Sequence, residues 1–310
     1  MVRMEPVTGM PPPPVQEYCY RHPDVATGVH CTRCDRPICP DCMIPAPVGH
    51  HCPTCVEEAR KEFRKGPGRR IAVANAKAVS ATKVLVVAIV AMFAVEVVVI
   101  GLPSLIGFNE APPEKLYQLG GALGFSIAAG QYWRMLTSIF LHGGLIHIAF
   151  NLYALWIFGQ VVEDELGRWR LLAIFFVTGL FASATSYLLA PPNVVGVGAS
   201  GAIFGIFGAF VAFNWRRRGT ALGAARLRAA IGILVLNAVL GIGFAGAIDW
   251  QAHAGGFVAG LVAGFAAEGF GRFRNERLAF VLGCAGLLAA TVVMVLWRTA
   301  QLKAEFPQFF

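Results

Sequence analysis

"NVVGVGASGAIFG", residues Asn193 to Gly205, decides how this chain is read. It closes the loop after one long apolar stretch, opens the next, and sets Ser200 among glycines and alanines. The surrounding chain has 310 residues, 56% of them hydrophobic and 14% charged. That is too apolar for an ordinary soluble domain and points to a polytopic membrane protein. A hydroxyl at the mouth of a membrane helix, with histidines in neighbouring apolar stretches, calls for a chemical reason.

Working outward, the pattern predicts an all-α membrane protein with seven transmembrane helices. The spans fall at 84–104, 140–161, 171–190, 199–215, 229–247, 252–270 and 278–297. The domain reading is a disordered Pro-rich tail over 1–16, a cysteine-rich module over 17–58, and a basic linker over 59–83. A membrane domain over 84–300 and an external tail over 301–310 complete it. Residues 1 to 70 hold no apolar core of a signal peptide, so the first span is expected to be its own insertion signal. Lys and Arg set the orientation. Arg60, Lys61, Arg64, Lys65, Arg69, Arg70, Lys77 and Lys83 precede span 1. Arg168 and Arg170, then Arg216, Arg217, Arg218, Arg226 and Arg228, then Arg272, Arg274 and Arg277 follow spans 2, 4 and 6. The opposite side holds Lys115 and Arg134, with Arg298 and Lys303 in the final tail. The positive-inside rule puts the N-terminus in the cytoplasm and the C-terminus outside. The segment 105–139 becomes an external or interfacial loop. The net charge of +8 therefore orients helices and does not signal nucleic acid. This distribution fits a bacterial plasma membrane; a eukaryotic organelle stays open.

All cysteines but Cys284 lie between residues 19 and 55. With one histidine they form four pairs: Cys19 and His22, Cys31 and Cys34, Cys39 and Cys42, Cys52 and Cys55. Each pair puts two ligands on one tight turn, as tetrahedral zinc requires. Eight ligands make two closed, structural zinc sites, and so small a segment needs metal to hold a fold. His30, His50 and His51 are substitute ligands, and a disulfide framework is the alternative that a reducing compartment disfavours. The spacing resembles a B-box-type zinc finger. That resemblance implies that the first pair joins the third and the second joins the fourth; sequential pairing is the rival. A cytoplasmic protein partner is the expected use of the module. Cys284, inside span 7, reads as a packed thiol.

Polar residues inside the spans are few. His147 and Asn151 are four apart on one face of span 2, with His142 nearer its external end. Ser200 opens span 4, and His253 lies in span 6. At about 1.5 Å per residue, Ser200 stands about 24 Å from Arg216, His147 about 24 Å from Glu163, and His253 about 22–28 Å from Glu268 and Arg272. Matching heights on three helices suggest one recessed, wetted cavity. Gly201 and Gly205 in span 4, and Gly256, Gly260 and Gly264 in span 6, form small-residue stripes that let helix backbones meet. Close contact there would bring His253 to Ser200, and a neighbouring base makes a hydroxyl nucleophilic. His147, Asn151 and the Ser200 N–H would be donors to the oxyanion. Taken singly, each residue reads as a helix-packing hydrogen bond; together they read as a site. Asp249 reads as the cap of span 6 rather than a third catalytic member. Glu96 faces the bundle or water.

These residues resemble the rhomboid intramembrane serine proteases, over Gln131 to Gly271. The motifs are Trp133-Arg134, the His147/Asn151 face, Gly198-Ala199-Ser200-Gly201, and Ala252-His253-Ala254-Gly255-Gly256. The serine is not in a hydrolase G-x-S-x-G elbow, since Ala202 fills the last position. The resemblance implies a six-helix core plus a C-terminal helix, with Ser200 as nucleophile and His253 as general base in a dyad. It also implies His147 and Asn151 in the oxyanion hole, no catalytic cofactor, and transmembrane protein substrates in the lipid bilayer. One departure is Phe204, where many relatives have a tyrosine stacked on the histidine. A non-catalytic rhomboid-like membrane-protein binder, or a zinc-finger adaptor, is the alternative function. A transporter would need charges deep in several spans.

Overall fold

The computed structural model describes residues 16–46, 48–65, 79–101, 111–243, 248–269 and 275–310. Nearly all of the Pro-rich tail, the linker charges Arg69, Arg70 and Lys77, residues 244–247 of the fifth span, and Arg272 and Arg274 lie outside the described residues. The chain divides into two compact units, one ending at Ala78 and one starting at Val79.

In the first unit the described residues before Pro53 are mostly turns and short bridges. Isolated bridges pair Tyr18 with Ala26 and His30 with Pro37. A 3-10 turn at Pro40–Cys42 leads to a short antiparallel ladder, β1 (Ile44–Pro45) on β2 (His50–His51), and to helix α1 (Pro53–Lys65). Buried here are Cys19, Cys31, Cys39, Cys42, Cys52, Cys55 and Ile38. The expected module boundary at 58 falls inside α1. Its sequence, VEEARKEFRK, is made of good helix formers, and Glu57 pairs with Lys61 one turn on at 2.9 Å. The helix therefore runs into what reads as linker.

The second unit is mostly helical. In chain order it contains α2 (Ala81–Ile100), α3 (Pro113–Gln118), strand β3 (Ala122–Leu123), α4 (Gly124–Ala128) and α5 (Arg134–Thr137). Then come α6 (Leu145–Leu166), α7 (Arg168–Leu189), strand β4 (Val195–Gly196), α8 (Ser200–Arg216), α9 (Ala221–Gly243), α10 (Trp250–Ala267) and α11 (Glu276–Glu305). Long helices thus occupy each stretch expected to span. Four of them, α2, α6, α7 and α11, are long and apolar enough to cross a membrane by length and composition. Helix α8 has 17 residues, and α10 is diluted by glycines and His253. These apolar helices support a multi-pass integral membrane protein.

Three boundaries differ from the sequence reading, each for a local reason. Helix α6 starts at Leu145 because Gly144, in extended backbone, caps it; His142 is therefore in the approach to the helix, not within it. Helix α9 begins at Ala221, where Thr220 Oγ1 accepts the Gly223 N–H. Helix α11 continues to Glu305, so the expected tail starts as helix. It then folds back: Phe306, Phe309 and Phe310 gather around Phe125 of α4, with ring centroids 5.5, 4.8 and 6.5 Å away.

Residues 111–144 are folded around Arg134, which is buried. Its Nη1 donates to the carbonyls of Tyr117 (2.6 Å) and Gly121 (3.0 Å), and its Nε to Gln131 Oε1 (2.6 Å). Strand β3 pairs with β4, Ala122 opposite Gly196 and Leu123 opposite Val195. That ladder ties the segment to the loop that ends at Ser200. At the other end of the bundle, the Glu163 carboxylate of α6 caps the start of α2. It accepts from Ser80 Oγ (2.7 Å), the Ala81 N–H (2.7 Å), the Thr82 N–H (2.9 Å) and Thr82 Oγ1 (2.7 Å). Four donors satisfy a carboxylate well enough to keep it ionised there.

Candidate functional site

Helices α8 and α10 pack most closely of all. A Cβ added to Gly256 would run into the Gly201 carbonyl oxygen, and one on Gly260 into that of Gly205. One on Gly264 would stand 2.7 Å from the Ala209 Cα. One on Gly201 would meet Ala182 of α7 at 2.7 Å and the Ala252 carbonyl at 3.5 Å. In lipid, where burial of apolar surface gives little drive, such backbone approach is what dispersion can exploit.

Ser200 and His253 flank this contact, each half-buried. Ser200 is the first residue of α8, where the leading N–H groups have no intrahelical acceptor. Phe204, one turn on, lies flat on the His253 imidazole, with centroids 4.3 Å apart and planes 15° from parallel. Among the described residues no hydrogen bond joins the Ser200 hydroxyl to His253. The backbone before Ser200 is shaped by Gly198 at φ +129°, a region that disfavours side chains. Its N–H donates to the Ser138 carbonyl at 2.9 Å. A Cβ there would stand 2.9 Å from His147 Nε2 and 3.7 Å from Ser200 Oγ. A side chain there would press on the His147 ring.

Asn151 is buried, and its amide donates to the His147 carbonyl at 3.1 Å. Among the described residues it is joined to His147, and no bond runs from it to Ser200. His142 is fully buried; its ring meets His147 edge-on at 5.1 Å. Asp249 caps α10, accepting from the Ala252 N–H at 2.9 Å and from Ser186 Oγ of α7. It fixes the entry of the helix that carries His253. The sequence gives no sign of the Gly198 conformation, of Ser186 as the partner of Asp249, or of the partner of Glu96. Glu96 is fully buried, and its carboxylate accepts the His142 N–H.

Residues 129–269 match the rhomboid domain. That stretch contains His147, Asn151, Ser200 and His253, and excludes the cysteine unit, α2 and α11. The chain is 38% identical to the Rhomboid protease GluP of Bacillus subtilis (strain 168) over 188 residues, 59% of this chain and 35% of that protein. It is 38% identical to RHOMBOID-like protein 5 of Arabidopsis thaliana over 157 residues, 48% of each. It is 39% identical to the putative rhomboid protease YdcA of B. subtilis over 85 residues, 27% of this chain and 43% of that protein. The matched stretches span about a third to a half of these relatives' lengths. Together the domain and the relatives support the rhomboid family.

The cysteine unit holds two four-residue clusters. Cys19, His22, Cys39 and Cys42 form one, and Cys31, Cys34, Cys52 and Cys55 the other; the ligand atoms of each lie within 4.8 Å of one another. The first pair meets the third and the second meets the fourth, not its sequential neighbour. His22 Nδ1 stands 3.2 Å from Cys39 Sγ and 3.5 Å from Cys42 Sγ. Backbone N–H groups point at the sulfurs, as from Cys52 to Cys31 Sγ at 3.2 Å and from Cys55 to Cys52 Sγ at 3.3 Å. All the cysteines are free thiols. His30 is not in either cluster; it pairs with Glu17, and His50 and His51 form β2. Burial pushes the Cys19 and Cys31 thiols up, but N–H donors outweigh it and leave both lowered to about 6. Burial, then the neighbouring sulfurs, push Cys42 and Cys55 up to about 12. A soft cation suits such a donor set.

Proposed function

We propose that the protein is an intramembrane serine endopeptidase that cuts peptide bonds in or near the transmembrane segments of membrane proteins. What supports this is Ser200 at the start of α8 beside the glycine-lined contact with α10, the stacking of Phe204 of α8 on His253, and the nearness of Gly198 to the His147 ring. In this reading Ser200 Oγ attacks the scissile carbonyl while His253 takes its proton. His253 then gives that proton to the leaving amine, and water hydrolyses the acyl-enzyme by the same route in reverse. The oxyanion is met by the His147 Nε2–H, the Asn151 amide and the Ser200 N–H at the positive end of α8. The Ser200–His253 hydrogen bond belongs to the substrate complex, where such bonds tighten. The phenyl ring of Phe204 supplies the stack without a hydroxyl.

All seven long helices span in this reading, with the N-terminus cytoplasmic, the C-terminus external and a bacterial plasma membrane as the site. Supporting it are the Lys and Arg of the alternate loops. Seven thiols and one imidazole in two sets of four fit two structural zinc ions in a B-box-like finger. The ions would hold the finger, which would bind a cytoplasmic protein; catalysis needs no metal.

Purified protein should cut a single-span model substrate, and Ser200→Ala should abolish cutting while leaving binding intact. Unchanged cutting by Ser200→Ala refutes the assignment. Binding without cutting by wild type favours a non-catalytic rhomboid-like binder.

A further inference from the structure

Helix α2 contributes no residue to the site, yet it carries a carboxylate, Glu96, with no exposed surface. A buried carboxylate in an apolar helix is expensive unless its oxygens find donors. Its two oxygens stand 3.2 and 3.0 Å from one backbone N–H, that of His142. The next residue, Gly143, donates its own N–H to His147 Nδ1 at 3.4 Å. A backbone N–H can only donate, so Nδ1 holds a lone pair. A neutral imidazole then carries its proton on Nε2. Nε2 lies on the edge of the ring, with Cε1, that is turned to Gly198, two residues before Ser200. The same short segment reaches His147 a second way, through the edge-on His142 ring, whose Nδ1 is held 3.2 Å from the Phe140 carbonyl. The Gly143 carbonyl in turn accepts the Ala111 N–H at 2.9 Å.

We propose that Glu96 is a positioning residue for the oxyanion site, gripping the His142–Gly143 backbone so that His147 presents Nε2–H to the reacting carbonyl. This rests on the protease reading above. The role needs an acceptor oxygen at the His142 N–H, not a negative charge. A glutamine amide oxygen can fill it; a methionine of similar length cannot. The sequence alone shows Glu96 as an isolated acid in a span and gives no hint of the relay, because it passes through main-chain groups.

The test uses the full chain in detergent with a single-span model substrate. It compares wild type, Glu96→Gln, Glu96→Met and Ser200→Ala. Removing one oxyanion donor outright costs about 100- to 1,000-fold in kcat, so a misaimed donor should cost at least about 10-fold. Glu96→Gln should keep kcat within about threefold of wild type on the same scale. Glu96→Met should lose about 10-fold or more in kcat with KM within about twofold. Nitrogen NMR of labelled histidine should show the Nε2-protonated form of His147 in wild type and Glu96→Gln, and a tautomer mixture in Glu96→Met. Glu96→Leu takes the place of the methionine variant if that one does not fold. The proposal is overturned if Glu96→Gln falls as far as Glu96→Met, if the loss is in KM, or if Glu96→Met cuts at the wild-type rate. If wild type cuts no better than Ser200→Ala, the protease reading fails. The histidine spectra then still decide whether Glu96 sets the tautomer.

Discussion

Among the described residues of the cysteine unit, those buried are six cysteines and Ile38; in the helical unit two helices meet glycine against backbone, Gly256 on Gly201 and Gly260 on Gly205. The first has little aliphatic surface, and in the proposed reading it depends on what its sulfurs bind. The second needs no ligand and depends on the lack of side chains along one stripe. Chemistry is confined differently too: closed ligand sets in one unit, a half-buried serine and two half-buried histidines in the other. Perturbations should therefore separate cleanly.

The largest expected effect is on the cysteine unit. Cys52→Ser, or a strong chelator, should remove metal and unfold residues 17–65, because metal-binding free energies of about 10–16 kcal/mol are folding free energies in such modules. Limited proteolysis and metal analysis would read this. Covalent labelling of Ser200 should survive; its loss on chelation would break the separation of the two units. Next comes the glycine stripe. Gly256→Val should cost about 3 kcal/mol or more by overpacking against the Gly201 carbonyl, read as a lower thermal midpoint and lost labelling. The control is Gly232→Ala on α9, where an added Cβ meets nothing within 4 Å; there the change should be neutral or stabilising by up to about 1 kcal/mol. Equal damage from both would mean that the stripe is not special.

A smaller effect is expected at Phe204. An aromatic stack is worth about 0.5–1.5 kcal/mol, so Phe204→Ala should slow cutting by about 2- to 10-fold, and Phe204→Tyr should not. The mildest test is pH. Cys42 and Cys55, pushed up to about 12, must give up protons to bind a cation, so metal uptake should release protons. Metal should then leave as pH falls from 7 toward 5, and metal content measured across that range would show it. Retention unchanged at pH 5 would contradict thiolate ligation.

Much of this was legible where chemistry dictates spacing. The four ligand pairs and the glycine stripes can be read from residue types and intervals. Asp249 as a helix cap was also readable, because a cap is a local device. What was hidden depends on main-chain geometry or on distant partners. The Gly198 φ cannot be seen in the letters GAS, nor can Glu96 be matched to His142 across the sequence. The start of α6 at Leu145 turns on two glycines whose conformations are set by the fold. The wrap of Phe306, Phe309 and Phe310 around Phe125 was missed because a short polar-looking tail gives no periodicity.

The most direct test of the central claim is labelling of the purified full chain by a serine-directed fluorophosphonate in detergent, comparing wild type with Ser200→Ala and His253→Ala. The account predicts a single labelled site in wild type, none in Ser200→Ala, and labelling at least about 100-fold slower in His253→Ala, since a general base contributes about 100- to 10,000-fold. Equal labelling of wild type and Ser200→Ala, or full-rate labelling without His253, would contradict it.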